Sequence, residues 1–295
     1  MRIRKILATA LLALATSVQA APETPPPAVI HARPALWMVR DADTTIYLFG
    51  TIHKLRAGTT WIEGPVKQAL DASGTVIVEV DMSNAAAVPA ALKAHSVAHD
   101  GKTMAERLPE AMRARYRARL AEFHLPEKAL DRLQPWAVAS MIGSMVQRKN
   151  GIVREEGVED QLLAAAKAGG KRIDGLETLD QQFGYFEQMS EAEQVAHLSA
   201  VLGDEKPGQD VFNRLSRDWA AGHEKRLARD MSSDMPASIR EVLVYKRNRN
   251  WAASIRSMLD KPGIFFIAVG SGHLVGKRNL RNDLLATGVK NERLQ

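Results

Sequence analysis

Two histidines stand out because each follows the same succession of apolar run, glycine and turn. The first run, Thr45-Ile46-Tyr47-Leu48-Phe49, leads into Gly50-Thr51-Ile52-His53. The second, Ile264-Phe265-Phe266-Ile267-Ala268-Val269, leads into Gly270-Ser271-Gly272-His273. Both close on Gly-x-x-His. Carboxylates stand at two further strand-like ends: Glu79, with Asp81, closes Thr75-Val76-Ile77-Val78-Glu79-Val80-Asp81, and Glu177 closes Lys171-Arg172-Ile173-Asp174-Gly175-Leu176-Glu177. Imidazole nitrogen and carboxylate oxygen together suit zinc, manganese, iron or cobalt, with open positions left for water and substrate. Such an ion lowers the pKa of its water toward ~7, and a nearby carboxylate can take the released proton. A histidine after a buried strand is also commonly a hydrogen-bonded structural residue. The matched contexts of His53 and His273, and the acids Glu79 and Glu177, favour the metal reading.

For these four residues to meet, the runs that carry them must lie side by side. In an open α/β sheet, ligands bind outside the carboxyl ends of parallel strands, where these turns would fall. Runs 36–39 and 45–49, separated by Asp41-Ala42-Asp43, predict a hairpin. Gly64–Ala72 predicts a helix, with Pro65 suited to its first turn. From about Ala85 to Asp260 the apolar spacing is mostly helical, over 108–123, 135–147, 158–168, 179–189, 191–202, 211–231 and 237–259. Only the strand-like segment ending at Glu177 interrupts it. A polar helical segment follows from Lys277. The expected fold class is α/β, a central parallel-rich sheet flanked by helices, with a helical insertion over about 85–260.

Composition bounds the remaining choices. A chain of 295 residues, 45% hydrophobic and 25% charged, is that of a globular protein. Arg2, Arg4 and Lys5, the apolar stretch 7–15 and Val18-Gln19-Ala20 read as a signal peptide over 1–20. Pro22 and Pro25-Pro26-Pro27 mark 21–34 as a disordered leader. No later run reaches the ~18 apolar residues of a membrane span, so a periplasmic or secreted protein is expected. There is no cysteine, which excludes thiol nucleophiles, thiolate metal sites and lipid anchoring on a cysteine. The formal net charge of +6 falls by three, to +3, when the signal's basic residues leave. The densest basic run, Arg113-Ala114-Arg115-Tyr116-Arg117-Ala118-Arg119, reads as a solvated helix face, and no nucleic-acid partner is expected.

Other patterns fall away on inspection. His95 and His99 have the spacing of a helical metal pair but lack an associated Glu, and they read as a solvated face. His223-Glu224 begins a zincin motif that Leu227 breaks. Gly270-Ser271-Gly272 begins a dinucleotide turn, yet Val275 occupies the third-glycine position and too little chain follows.

Taken in order, these residues resemble the TraB/GumN family, which includes the animal TIKI proteins. Tyr47-Leu48-Phe49-Gly50-Thr51-Ile52-His53 is similar to the family's opening motif, and Val78-Glu79-Val80-Asp81 to its acidic strand end. Gln134-Pro135-Trp136, Gly157-Val158-Glu159-Asp160 and Gly175-Leu176-Glu177-Thr178 with Gln181 follow. Arg247-Asn248 with Trp251, and Ala268-Val269-Gly270-Ser271-Gly272-His273-Leu274-Val275-Gly276, complete the pattern. Glu159 departs from it, standing where an aspartate is usual. The resemblance covers 35–295. It implies a fold like the erythromycin-esterase and ChaN proteins and, from the TIKI branch, metal-dependent peptide hydrolysis. Carried onto this chain, His53, Glu79 and His273 become the expected metal ligands. Glu177 and Arg247-Asn248 become candidates for general base, substrate contact or support of the ligands.

The function expected is thus an exported, divalent-metal-dependent hydrolase acting on peptides or small molecules. In that reading Glu79 or Glu177 takes the proton, and Arg247 stabilises an oxyanion or anchors a substrate carboxylate. The alternatives are a non-catalytic haem- or metal-binding protein, and an accessory protein linked to polysaccharide or pheromone pathways. With 5% aromatic residues and no Met-rich pocket beside either histidine, the composition leans against haem. The first expectation is directly measurable. Mass spectrometry of the exported protein should find its N-terminus near Ala21, and an intact Met1 chain in the cytoplasm would refute the assignment.

Overall fold

Apolar runs that bury side chains on alternate sides call for a sheet covered on both faces. The structure, a computed structural model, describes residues 29–56, 58–82, 86–149, 157–203, 206–232 and 236–295. The expected signal segment 1–20 and the leader through residue 28 lie outside the described residues. In chain order the strands are β1 (Ile30–His31), β2 (Leu36–Arg40), β3 (Thr44–Thr51), β4 (Thr59–Thr60), β5 (Thr75–Val80), β6 (Arg172–Glu177), β7 (Gly263–Gly270) and β8 (Glu292–Arg293). The helices are α1 (Gly64–Ala72), α2 (Ala87–Ser96), α3 (Met104–Arg107), α4 (Glu110–Glu122), α5 (Pro135–Lys149), α6 (Val158–Ala168) and α7 (Leu179–Glu187). Then come α8 (Glu191–Val201), α9 (Lys206–Ala220), α10 (Glu224–Ser232), α11 (Ala237–Arg240), α12 (Arg247–Met258) and α13 (Leu280–Ala286).

Six strands form one sheet in the order β6-β5-β7-β3-β2-β8. The first four are parallel neighbours, and β2 and β8 pair antiparallel at one edge. This is the parallel-rich sheet flanked by helices that the sequence predicts, completed by an antiparallel hairpin of β2 and β3. Alternation along the strands divides the core. Val76, Val78, Phe266 and Ala268 face one way, against α1, α6, α9 and α10. Ile77, Ile46, Leu48, Ile267 and Val269 face the other, against Trp251, Ala252 and Ile255 of α12 and Leu280 and Leu284 of α13. The helical insertion has a core of its own, built from Met104, Leu108, Tyr116, Leu120, Val138, Ile142 and Leu198.

Four local differences from the sequence reading are seen. The helix expected over 211–231 is two helices, because Gly222 takes a left-handed φ of 64°. A Cβ there would come within 2.9 Å of the Arg33 carbonyl, so the break is built around glycine. The helix expected over 237–259 carries a π-helical turn, Glu241–Lys246, between α11 and α12. Residues 29–34 of the expected leader belong to the fold: β1 pairs with β4, and Ala32 is buried. His95 and His99 do not share a helix, since α2 ends at Ser96. His95 instead bridges Glu187, at 2.8 Å from Nδ1, and Asp180, at 3.2 Å from Nε2.

The parallel strands β3 and β7 approach closely at their ends. A Cβ on Gly50 would lie 2.7 Å from Ser271 Oγ and 3.2 Å from its Cα. Gly50→Ala should therefore destabilise the protein by about 1–3 kcal/mol, the scale of overpacking in a filled core. Gly184→Ala, in α7 with open space around it, should be neutral or slightly stabilising. Urea unfolding of both variants compares the two sites, and a neutral Gly50→Ala would show that this contact does not constrain the turn.

Candidate functional site

The order of the sheet brings the chemistry-bearing residues to one edge. Reading across β6, β5, β7 and β3, the carboxyl ends carry Glu177, Glu79, His273 and His53. β7 and β3 run in register to their last residues, Gly270 opposite Thr51, so the two Gly-x-x-His turns leave the sheet together. Ser271 Oγ ties them by donating to the Thr51 carbonyl at 2.9 Å. On β5, Glu79 shares the face of Ile77, the face that α12 covers.

The N-terminus of α12 meets that face with Arg247. Trp251, Ala252 and Ile255 form the buried stripe of this helix, and one turn back the same stripe falls on Arg247 and Asn248. Helical spacing thus obliges a cation and an amide to be buried unless they find partners. Arg247 finds five. Its Nη2 donates to Glu79 Oε2 at 2.7 Å and to Glu177 Oε1 at 2.5 Å, and its Nε donates to Glu177 Oε2 at 3.2 Å. Its Nη1 lies 3.2 Å from the Leu243 carbonyl, to which it donates, and 3.5 Å from His273 Nε2. Four of its five N–H groups thus donate to acceptors within the fold, and the fifth faces His273 Nε2, which can accept it only when that nitrogen carries no proton. The guanidinium also lies over Trp251, 4.6 Å from the ring centroid.

The two carboxylates differ in setting. Glu177 is deeper, accepts a third hydrogen bond from Trp251 Nε1 at 3.1 Å, and has a side chain only 3% exposed. Burial pushes its pKa up, against the pull of Arg247. Glu79 is 18% exposed at its side chain and accepts the Gly270 backbone N–H at 2.7 Å. Burial opposes its ionisation too, but His273 once protonated, Arg247 and the Gly270 N–H outweigh it and hold the pKa at about 2. His273 is buried with its ring against Trp251, and Nδ1 lies 2.7 Å from the Asn248 amide. Burial and the Arg247 charge lower its pKa to about 4 against the attraction of Glu79, so the ring is neutral at pH 7.

Of the residues singled out in the sequence, Glu79, Glu177, Arg247 and His273 form one connected cluster. His53 lies exposed on the neighbouring turn. Among the described residues no three His, Asp or Glu side chains are grouped to hold an ion. The donor chemistry nonetheless fits in part. Glu79 Oε1 and His273 Nε2 face each other at 3.7 Å, a spacing that two ligands each ~2.0–2.2 Å from one ion can adopt. The second nitrogen of His273, Nδ1, lies 2.7 Å from the Asn248 amide, the place where metal-binding imidazoles have a partner. Ser271, Gly270 and Trp251 stand inside motifs singled out in the sequence, but their parts as hydrogen-bond donors to the Thr51 carbonyl, Glu79 and Glu177 were not legible there. The buried stripe of α12 is the signal that marks Asn248.

Both low pKa values have the same consequence for acid stability in the metal-free protein. An unfolded histidine takes up a proton near 6.5, whereas His273 resists until about 4, so stability is complete above 6.5 and falls across that window. The ordinary carboxyl titrates near 4.5 and Glu79 near 2, so its contribution is lost in turn over that lower window. Glu177, raised by burial, acts in the opposite sense, its protonation relieving a cost. Urea midpoints should thus decline from neutral pH downward. His273→Gln should flatten the decline above pH 4, and a parental slope in that variant would contradict the buried neutral ring.

Comparisons with known proteins agree with this geometry at the level of family. The model of the TraB/PrgY/gumN family matches residues 35–293. The Escherichia coli (strain K12) protein named "Uncharacterized protein YbaP" is 24% identical over 247 residues, covering 84% of this chain and 90% of its own length. The "Metalloprotease TIKI homolog" of Amphimedon queenslandica is 26% identical over 315 residues, covering 88% of this chain and 61% of its own. No solved structure gives a significant match. The chain, with both Gly-x-x-His turns inside the matched span, belongs to the TraB/PrgY/gumN family.

Proposed function

We propose that this protein is an exported hydrolase that uses a divalent metal ion to cleave peptides. The observation that carries the proposal is the opposition of Glu79 Oε1 and His273 Nε2 at 3.7 Å, at the carboxyl ends of adjacent parallel strands. The peptide class of substrate follows the name of the Amphimedon queenslandica relative. Glu79 and His273 would hold the ion, and His53, on the turn tied to that of His273 through Ser271, would complete the set. When bound, such an ion supplies a Lewis acid that polarises a scissile carbonyl and makes water a better nucleophile.

The remaining steps belong to the chain itself. Arg247 spends its donors on Glu79, Glu177 and the Leu243 carbonyl, so its part is to hold the carboxylates in position. Glu177 anchors Arg247 from the buried side. Glu79, the more exposed acid, is ionised far below neutral pH, so it presents an anion to a cation at the rim of the site. The exposed side chain of His53 leaves that rim open to solvent and substrate.

Metal content and activity test this together. His53→Ala and His273→Ala should each lose bound metal and any peptide hydrolysis, while His95→Ala, whose ring bridges Glu187 and Asp180, should change neither. Glu177→Gln should retain metal and lose about 10–100-fold in turnover, the scale for residues that support a metal's ligands. Elemental analysis of dialysed protein reads the first effect. Parental metal and activity in both His53→Ala and His273→Ala would refute the proposal.

A further inference from the structure

The imidazole of His273 can offer Nε2 to a cation only while its proton sits on Nδ1. Two groups bear on which nitrogen holds the proton: Arg247 Nη1, at the long distance of 3.5 Å from Nε2, and the Asn248 amide, at the much shorter distance of 2.7 Å from Nδ1. Asn248 is fully buried, and its amide lies 2.7 Å from Nδ1 in either of two orientations. In one, Oδ1 accepts from Nδ1–H, and Nδ2 donates to the His273 carbonyl at 3.4 Å. In the other, Nδ2 donates both to Nδ1 and, at 3.3 Å, to the Val244 carbonyl in the π-helical turn. Its Oδ1 then accepts the Leu280 N–H at 3.3 Å. Leu280 is buried and opens α13, so its N–H has no partner within the helix. The second orientation satisfies this orphan donor; the first leaves it to go without.

We propose that Asn248 is a positioning residue that selects the tautomer of His273. In the metal-free protein it donates to Nδ1 and leaves the proton on Nε2, facing Glu79. The Nε2–H then points toward Glu79 Oε1 at 3.7 Å and occupies the direction along which a cation would be held. Loading the site requires the amide to turn over and the ring proton to move to Nδ1. The loss of the Val244 and Leu280 hydrogen bonds opposes that change. The statement about the proton holds for the chain alone; only its consequence for loading rests on the reading of His273 as a metal ligand.

An Asn248→Asp variant separates the two statements. A carboxylate can only accept, so it should fix the proton on Nδ1 while its second oxygen still accepts from Leu280 N–H. Nitrogen-15 spectra of metal-free protein, with the His273 ring assigned by its absence in His273→Gln, report the tautomer directly. The native protein should show a protonated Nε2 and a lone-pair Nδ1, and Asn248→Asp the reverse. Zinc titration should then find Asn248→Asp tighter by about tenfold, the lower end of the range for groups that orient a metal's ligands. A native spectrum with the proton on Nδ1 overturns the inference even if the variant does not fold, as does an unchanged tautomer in Asn248→Asp. A reversed tautomer with unaltered zinc affinity upholds the inference and refutes His273 as a ligand.

Discussion

A guanidinium held under two carboxylates and beside an imidazole is the interaction on which the rest of this arrangement depends. Removing Arg247, Glu79 and Glu177 from water costs several kcal/mol per ion, a cost returned only when geometry and hydrogen bonding are nearly complete. Here they are. Arg247 donates four N–H groups to three residues, and Glu177 gains a further donor in Trp251. The cluster therefore constrains everything that carries it. The ends of β5 and β6 must remain neighbours, and α12 must start where its first residue reaches both. The π-helical turn before it must present the Leu243 carbonyl to Nη1. Widened turns of this kind often occur at functional positions, and this one leads straight into the cluster.

Close backbone approach is the second constraint. At the end of β7 a Cβ on Gly270 would stand 3.2 Å from Glu79 Oε1, the atom that accepts the Gly270 N–H. Glycine at this position lets β5 place its carboxylate directly on the neighbouring strand's amide. Gly50 does the equivalent for β3, admitting Ser271 and so locking the two Gly-x-x-His turns together. The repeated glycine before each histidine is thus a packing requirement of the sheet edge, independent of what the histidines do.

The helical insertion reaches the cluster through α7. Thr178 caps this helix immediately after Glu177, with its side chain accepting the Gln181 N–H in a capping box. Tyr185, in the same helix, lies 5.8 Å beneath the Arg247 guanidinium and accepts a hydrogen bond from Asn250 at 2.8 Å. His95 of α2 grips α7 from the other side. Its pKa is raised, chiefly by the hydrogen bond to Glu187, which favours a charged ring bridging two acids. The insertion is accordingly coupled to the site by contacts on the helix that begins at one of the site's own carboxylates.

Much of this was legible in the sequence because it depends on local periodicity. Alternation along 75–80 puts Glu79 on the side of Ile77 whatever the rest of the chain does, and matched apolar runs ending in glycine announce parallel strands with turns at one edge. The spacing of Trp251, Ala252 and Ile255 likewise extends to Arg247 and Asn248. Sequence alone did not distinguish the two histidines, since both close the same Gly-x-x-His pattern. Tertiary structure decided that. His273 is roofed by α12 and α13, which desolvate it and bring Asn248 and Trp251 against its ring. His53, one strand away, has its turn held from behind by the Val158 N–H on the Ile52 carbonyl at 3.2 Å, and its side chain remains in solvent. Charge pairing was hidden for the same reason: Arg247 meets Glu79 and Glu177 across 168 and 70 positions of chain, and only packing α12 onto the sheet makes them neighbours.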